Sequence, residues 1–297
     1  RPDIHGALAM LNSITQAPSS PRKQRMMFTT NQVKSANGVR IRPVALPVEH
    51  GGWGLLFEPI LLGLLLAPSL PGLLLSFAAI GAFLARHPFK LAVGDWRRNR
   101  RSARTAMAER FALTYFVIAA LGLSLAIRTG GWVFLLPLLF AAPIALVQLF
   151  YDSMGRSRAL IAELAGAIAT GALAGAIAMA GGWSRAMAFG LWAILAARTV
   201  PTILYLRTRL RLLRRKPASP RLVIIAHLLA IAFVFGLVLA GIAPVLAILA
   251  VVILLLRAAV GFSKSDRGVT AKRLGLRELM FGAVTVFAVI LGYKIGL

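Results

Sequence analysis

The sequence predicts an all-α polytopic membrane protein of about nine transmembrane helices. Three observations carry that class. Of 297 residues, 59% are hydrophobic and only 14% charged, more apolar surface than one soluble core can bury, and the apolar residues come in runs approaching the ~20 that cross a bilayer. The formal net charge of +25 is confined to short stretches between those runs. On a soluble domain such a charge would point to nucleic acid; between apolar runs it marks topology and attracts anionic lipid headgroups. The chain also has no cysteine, which excludes disulfides, thioether-bound haem and thiolate metal sites. Membrane lipid is the expected partner and nucleic acid is not; no protein partner is legible.

Residues 1–41 mix Ser, Pro, Gln, Asn and Lys without an apolar h-region. They read as a disordered leader, or an artefact if Met26 or Met27 is the true start, and not as a signal peptide. Residues 42–297 read as a single transmembrane helical domain. Its apolar segments run 53–67, 71–85, 111–127, 132–150, 160–180, 187–206, 222–241, 243–258 and 276–296. The first two are short and meet Pro59 and Pro68, which predicts kinked or tightly paired helices.

Between the second and third segments lies Arg86–Arg110, with eight Lys/Arg against Asp95 and Glu109. A loop this basic is expected to stay cytoplasmic. Nine spans with the amino terminus in and the carboxyl terminus out place thirty of the 34 Lys/Arg on that side. Arg128, Arg185 and Lys294 fall on the other, and Arg198 inside a span. In the fifth segment Gly171 and Gly175 form a GxxxG pair, so this helix is expected at the centre of the bundle, with close backbone approach at both glycines.

Polar residues in or beside spans are costly in lipid and are therefore the functional candidates. Those converging on the cytoplasmic side are Glu49, His50, Arg86, His87, Lys90, Asp152, Glu163, Arg198 and Arg207. They are expected to line a polar cavity that binds an anionic amphiphile. Arg198 sits midway along its span, where even a lenient insertion scale charges about 2.5–3.5 kcal/mol. It is expected to face inward toward Glu58, Glu163 or an anion, with Arg207 and Arg211 continuing its stripe. His227, alone on an apolar helix, is expected to be packed and hydrogen-bonded within the bundle. Glu278 is expected near a helix start. No carboxylates cluster in sequence and no phosphate loop, HExxH or serine elbow is present, so no metal, cofactor or catalytic residue is assigned.

The LPVEHGGWG entry to the first span, the RHPFK exit from the second and the closing RLGLRELMFG resemble the YwiC-like family of bacterial integral membrane proteins, over about Arg42 to Leu297. That resemblance implies a multi-pass protein of the bacterial cytoplasmic (inner) membrane. More distantly, the layout and the stretch YDSMGRSRALIAELAGAIATGALAG are similar to the UbiA-type prenyltransferase superfamily, which implies a UbiA-like bundle and an isoprenoid-type lipid. That superfamily holds magnesium and a prenyl diphosphate on two aspartate-rich motifs. Here the first position offers only Asp95, and the second, ARTVPTILYLRTRLRLLRRK, has arginines and no acid. If the chain is an enzyme, it is a prenyltransferase-like transferase without those motifs. The alternatives are a secondary transporter coupled through Glu58, Glu163 and Arg198, and a non-catalytic accessory factor of a membrane complex.

Overall fold

The computed structural model describes residues 41–46, 50–263 and 269–297. The leader, residues 1–41 apart from Ile41, and Glu49 lie outside them. The chain divides into Arg1–Arg42 and Pro43–Leu297, and the second unit carries nine long helices. They are α1 (His50–Leu66), α2 (Leu70–Arg97), α3 (Ala103–Gly130), α4 (Leu136–Ser153), α5 (Leu160–Ala180), α6 (Arg185–Leu213), α7 (Arg221–Leu239), α8 (Val245–Phe262) and α9 (Ala271–Ile295). A 3₁₀ turn, Val133–Leu135, leads into α4. No strand occurs among the described residues. Every long helix falls on one predicted apolar segment, and eight are long and apolar enough to cross a membrane. The exception is α1: its 17 residues rise about 26 Å, short of a ~30 Å hydrocarbon core.

The basic loops are shorter than their charge suggests. The expected loop Arg86–Arg110 is mostly helix, since α2 continues through Pro88 to Arg97 and α3 begins at Ala103. Charge resists translocation without opposing helix formation, and Arg, Lys, Ala and Leu are among the best helix formers. Polar caps set the ends. Ser69 accepts from the Gly72 amide at the start of α2. Ser102 and Thr105 bond reciprocally in a capping box at the start of α3, and Ser184 and Thr270 cap α6 and α9.

Small residues decide which helices meet. On α2, Ala78, Ala85 and Ala92 recur every seven residues and are buried. On α3, Ala108, Ala112 and Ala126 are buried as well. A Cβ added at Gly81 would stand 2.9 Å from the Tyr115 carbonyl oxygen, and one at Gly122 2.9 Å from that of Leu74. Backbone therefore lies on backbone, and α2–α3 is an antiparallel alanine-packed pair.

The glycine-rich α5 is central, as its sequence predicts, packing on α1, α4 and α6. The GxxxG expectation holds at one glycine only. A Cβ at Gly175 would meet the Ala188 carbonyl oxygen at 2.6 Å, whereas one at Gly171 would find Leu195 and Trp192 no closer than 3.4 Å. The short α1 packs on α5 and α9 and only weakly on α2. Large apolar side chains such as Leu113, Leu121, Leu139, Phe140 and Leu229 lie exposed around the outside, as lipid-facing residues must. This is a polytopic membrane bundle.

Candidate functional site

The polar candidates gather at one end of the bundle and in its core, and four arginines there each hold a carboxylate. At the basic end, Arg86 of α2 pairs with Asp152 of α4, and Lys90 lies 3.5 Å from the same oxygen. Asp152 is buried while both cations are half exposed. Gln148, one turn earlier on α4, turns its carbonyl to Arg86 at 3.2 and 3.3 Å. Nearby, Arg207 of α6 bonds Glu163 at 2.7 Å and the Arg158 carbonyl at 2.9 Å, tying α6 to the start of α5. His87 Nε2 lies 3.0 Å from the Pro43 carbonyl oxygen. His50 opens α1, but its side chain, like Glu49, lies outside the described residues.

In the core, Arg198 points inward and meets Glu58 of α1 in a two-pronged pair, with Nη1–Oε2 at 2.5 Å and Nη2–Oε1 at 2.9 Å. The guanidinium side chain is 4% exposed and the carboxylate 15%, so each needs the other: a lone ion in this environment costs several kcal/mol. Gly282 of α9 leaves the room they occupy. A Cβ there would overlap Glu58 Oε1 and approach Arg198 Nη2 to 2.8 Å.

A second buried pair lies beside the first. Arg257 of α8 holds Glu278 of α9, and its guanidinium carbon sits 4.2 Å above the centre of the Tyr205 ring. His227 Nδ1 donates to the Val223 carbonyl at 2.8 Å, leaving Nε2 as an acceptor 3.5 Å from Arg257 Nη2. The expectation that His227 packs within the bundle therefore holds. Glu278 lies two turns inside α9, not at its start. Arg198 and Glu278 are near enough to act on each other electrostatically.

The stripe expected from Arg198 through Arg207 and Arg211 is not there. Nine residues at 100° each is 900°, half a turn, which puts Arg207 on the opposite face of α6. The face that Arg198 shares carries Thr202, Tyr205 and Arg209, all buried. The i+4 and i+7 spacing of these residues was readable in the sequence. The pairing of Arg257 with Glu278 was not, because the partners are 21 residues apart on separate helices.

Two cavities stand out, and the paired candidates line neither. One, of about 350 Å³, lies at the α6–α7 turn between Leu204, Thr208, Arg211 and Ser219. The other, about 480 Å³, is an apolar groove beside α5, lined by Ile168, Phe189, Trp192, Ala193 and Ala196 with Leu237 of α7. Trp192 is pinned there by donating its Nε1–H to the Ile168 carbonyl at 2.7 Å. The groove face of α6 continues through Val200 and Ile203, both half-buried, to Arg207. Phe189 and Arg207 are 18 residues apart, five full turns and about 27 Å along one line.

The position where a first aspartate-rich motif would stand does other work. Asp95 accepts from Thr105 Oγ1 at 2.8 Å and so ties α2 to α3. Among the described residues, no group of three or more His, Cys, Asp or Glu is placed to hold a metal ion.

No curated protein and no solved structure matches the chain. Residues 46–178, from the entry to α1 almost to the end of α5, match the family model described as YwiC-like protein. That stretch holds Glu58, Arg86, Asp152 and Glu163, while Arg198 and Arg207, which pair with two of those acids, lie beyond it. Over residues 46–178 the chain is thus similar to the YwiC-like family.

Proposed function

We propose that the protein binds a membrane amphiphile along the α5–α6 seam, with the hydrocarbon chain in the apolar groove and an anionic head at Arg207. The observation that carries this reading is the alignment of the groove with Arg207 on one face of α6, over about 27 Å, most of the ~30 Å depth of the hydrocarbon core. The groove offers aromatic and alanine surface with no charge along it, which suits an acyl or isoprenoid chain. Arg207 is about two-fifths exposed, and Glu163 and the Arg158 carbonyl hold it in place while part of its fork faces outward. Arginine binds phosphate or carboxylate heads through that fork without a metal.

The charge asymmetry supports the accompanying topology, in which the basic end faces the cytoplasm and anionic lipid of a bacterial inner membrane. At that end Arg86 and Lys90 are joined to Asp152 and Arg207 to Glu163, and in this reading the lipid enters sideways from the bilayer.

Native mass spectrometry of lipids retained through gentle detergent extraction tests this. The wild type is expected to keep one amphiphile class per protomer. Phe189→Ala/Trp192→Ala is expected to lose it with α-helicity unchanged, and Arg207→Gln to lose the anionic species preferentially. Retention by both variants would overturn the proposal.

A further inference from the structure

The core ion pairs leave polar atoms over, and the leftovers lie together. Arg198 Nε, Thr202 Oγ1, Arg257 Nε and Glu278 Oε1 are buried without a hydrogen-bond partner, and the residues that carry them are, taken whole, less than a tenth exposed. A buried acceptor and donors left unpaired are destabilising, so their grouping calls for a reason.

Glu278 Oε1 is an acceptor with no donor. Gly282, one turn on along the same face of α9, is the residue against which the Arg198 head rests. Arg198 thus lies between two carboxylates: it holds Glu58, and Glu278 is within its field. The charged and titratable groups around Glu58 are Arg198 of α6 and Glu278 of α9. Behind Glu278 stand Arg257 of α8, Tyr205 of α6 and His227 of α7. The packed α5 contributes none.

One side of this cluster is polar and the other is not. From Arg198 toward the basic end, the buried face of α6 carries Thr202, Tyr205 and Arg209, about 16 Å of hydrogen-bonding side chains. In the other direction the same face carries Leu195, Leu191 and Ala188, all buried and apolar. Buried polar files in membrane bundles mark ion and proton paths.

We propose that Glu58 is a proton-exchange site in the membrane core, reached from the basic end along the polar face of α6, and that Arg198 is a two-position switch. A proton from water at the basic end adds to the Glu58 carboxylate, forming only an O–H bond. Arg198, released, turns to the vacant oxygen of Glu278 across the space above Gly282. Loss of the proton restores the first pair. Because α1 is short and tied to α6 through this pair, its hold on the bundle follows the proton. The inference is independent of the lipid-binding seam, since it uses the opposite face of α6.

Infrared difference spectroscopy of the protein in lipid nanodiscs, between about pH 9 and pH 4, tests it. A desolvated carboxylic-acid C=O band is expected to appear on acidification and to be absent from Glu58→Gln. In Glu278→Gln, where Arg198 can turn only to a neutral amide and not to a carboxylate, the band is expected to move to more acid pH by roughly one unit or more. If Glu58→Gln does not fold, Glu58→Asp supplies the check, because it keeps the carboxyl and shifts the band in frequency. No such band in the wild type, or one indifferent to both Glu58 variants, would overturn the proposal. So would a Glu278→Gln titration identical to that of the wild type.

Discussion

Replacing Arg198 by Met removes the cation that pairs with Glu58. The pair is two-pronged, at 2.5 and 2.9 Å, with both side chains largely shielded, so the loss strands a buried carboxylate. Breaking such a pair typically costs about 3–5 kcal/mol. In a chain of this size that corresponds to a fall in melting temperature of roughly 6–20 °C. Glu58→Gln is expected to cost less, because glutamine still accepts from Arg198 and Glu278 Oε1 offers the arginine a second partner. The double variant Glu58→Gln/Arg198→Met leaves neither of the paired charges and is expected to recover part of the single Arg198→Met loss, giving a coupling of about 1–3 kcal/mol. The assay is unfolding of purified protein in mild detergent, followed by tryptophan fluorescence, for all four proteins. Additive losses, or an Arg198→Met variant as stable as the wild type, would refute the reasoning that the two groups depend on each other.

Other expectations follow from close backbone approach and from charge. Gly175→Ala is expected to destabilise by about 1–3 kcal/mol, because the new methyl meets a carbonyl of α6 that cannot step aside. Gly171→Ala, with room for its methyl, is expected to stay within about 1 kcal/mol of the wild type. Equal melting temperatures for the two would contradict the packing described for α5 and α6. For topology, a reporter inserted in the 214–219 turn is expected to read cytoplasmic and one fused after Leu297 to read external; both on the same side would break the alternation of spans.

Much of the architecture is legible because a bilayer is a demanding solvent. Runs of apolar residues and the placement of 34 cations locate the nine long helices in the sequence itself. Arg198 is legible for the same reason: a guanidinium at mid-span must have a partner, and Glu58 is one of very few acids available. The loops are misread because charge reports which side a segment occupies and says nothing about whether it is coiled, so the ends of α2, α3 and α6 run helical through their arginines. The stripe through Arg207 fails on angle alone. The α2–α3 seam is written plainly in Ala78, Ala85 and Ala92, a seven-residue repeat that a search for GxxxG passes over. Arg257, Glu278 and Gly282 are hardest to read, since their meaning lies in contacts between helices distant in sequence.

Electron cryomicroscopy of the protein in nanodiscs of its native lipid tests the lipid-binding reading most directly. The account predicts one continuous tubular density in the α5–α6 groove, passing Phe189 and Trp192 and ending in a head group within hydrogen-bond reach of Arg207. A groove empty of lipid, with an ordered amphiphile seated instead at Arg86 and Lys90, would contradict it.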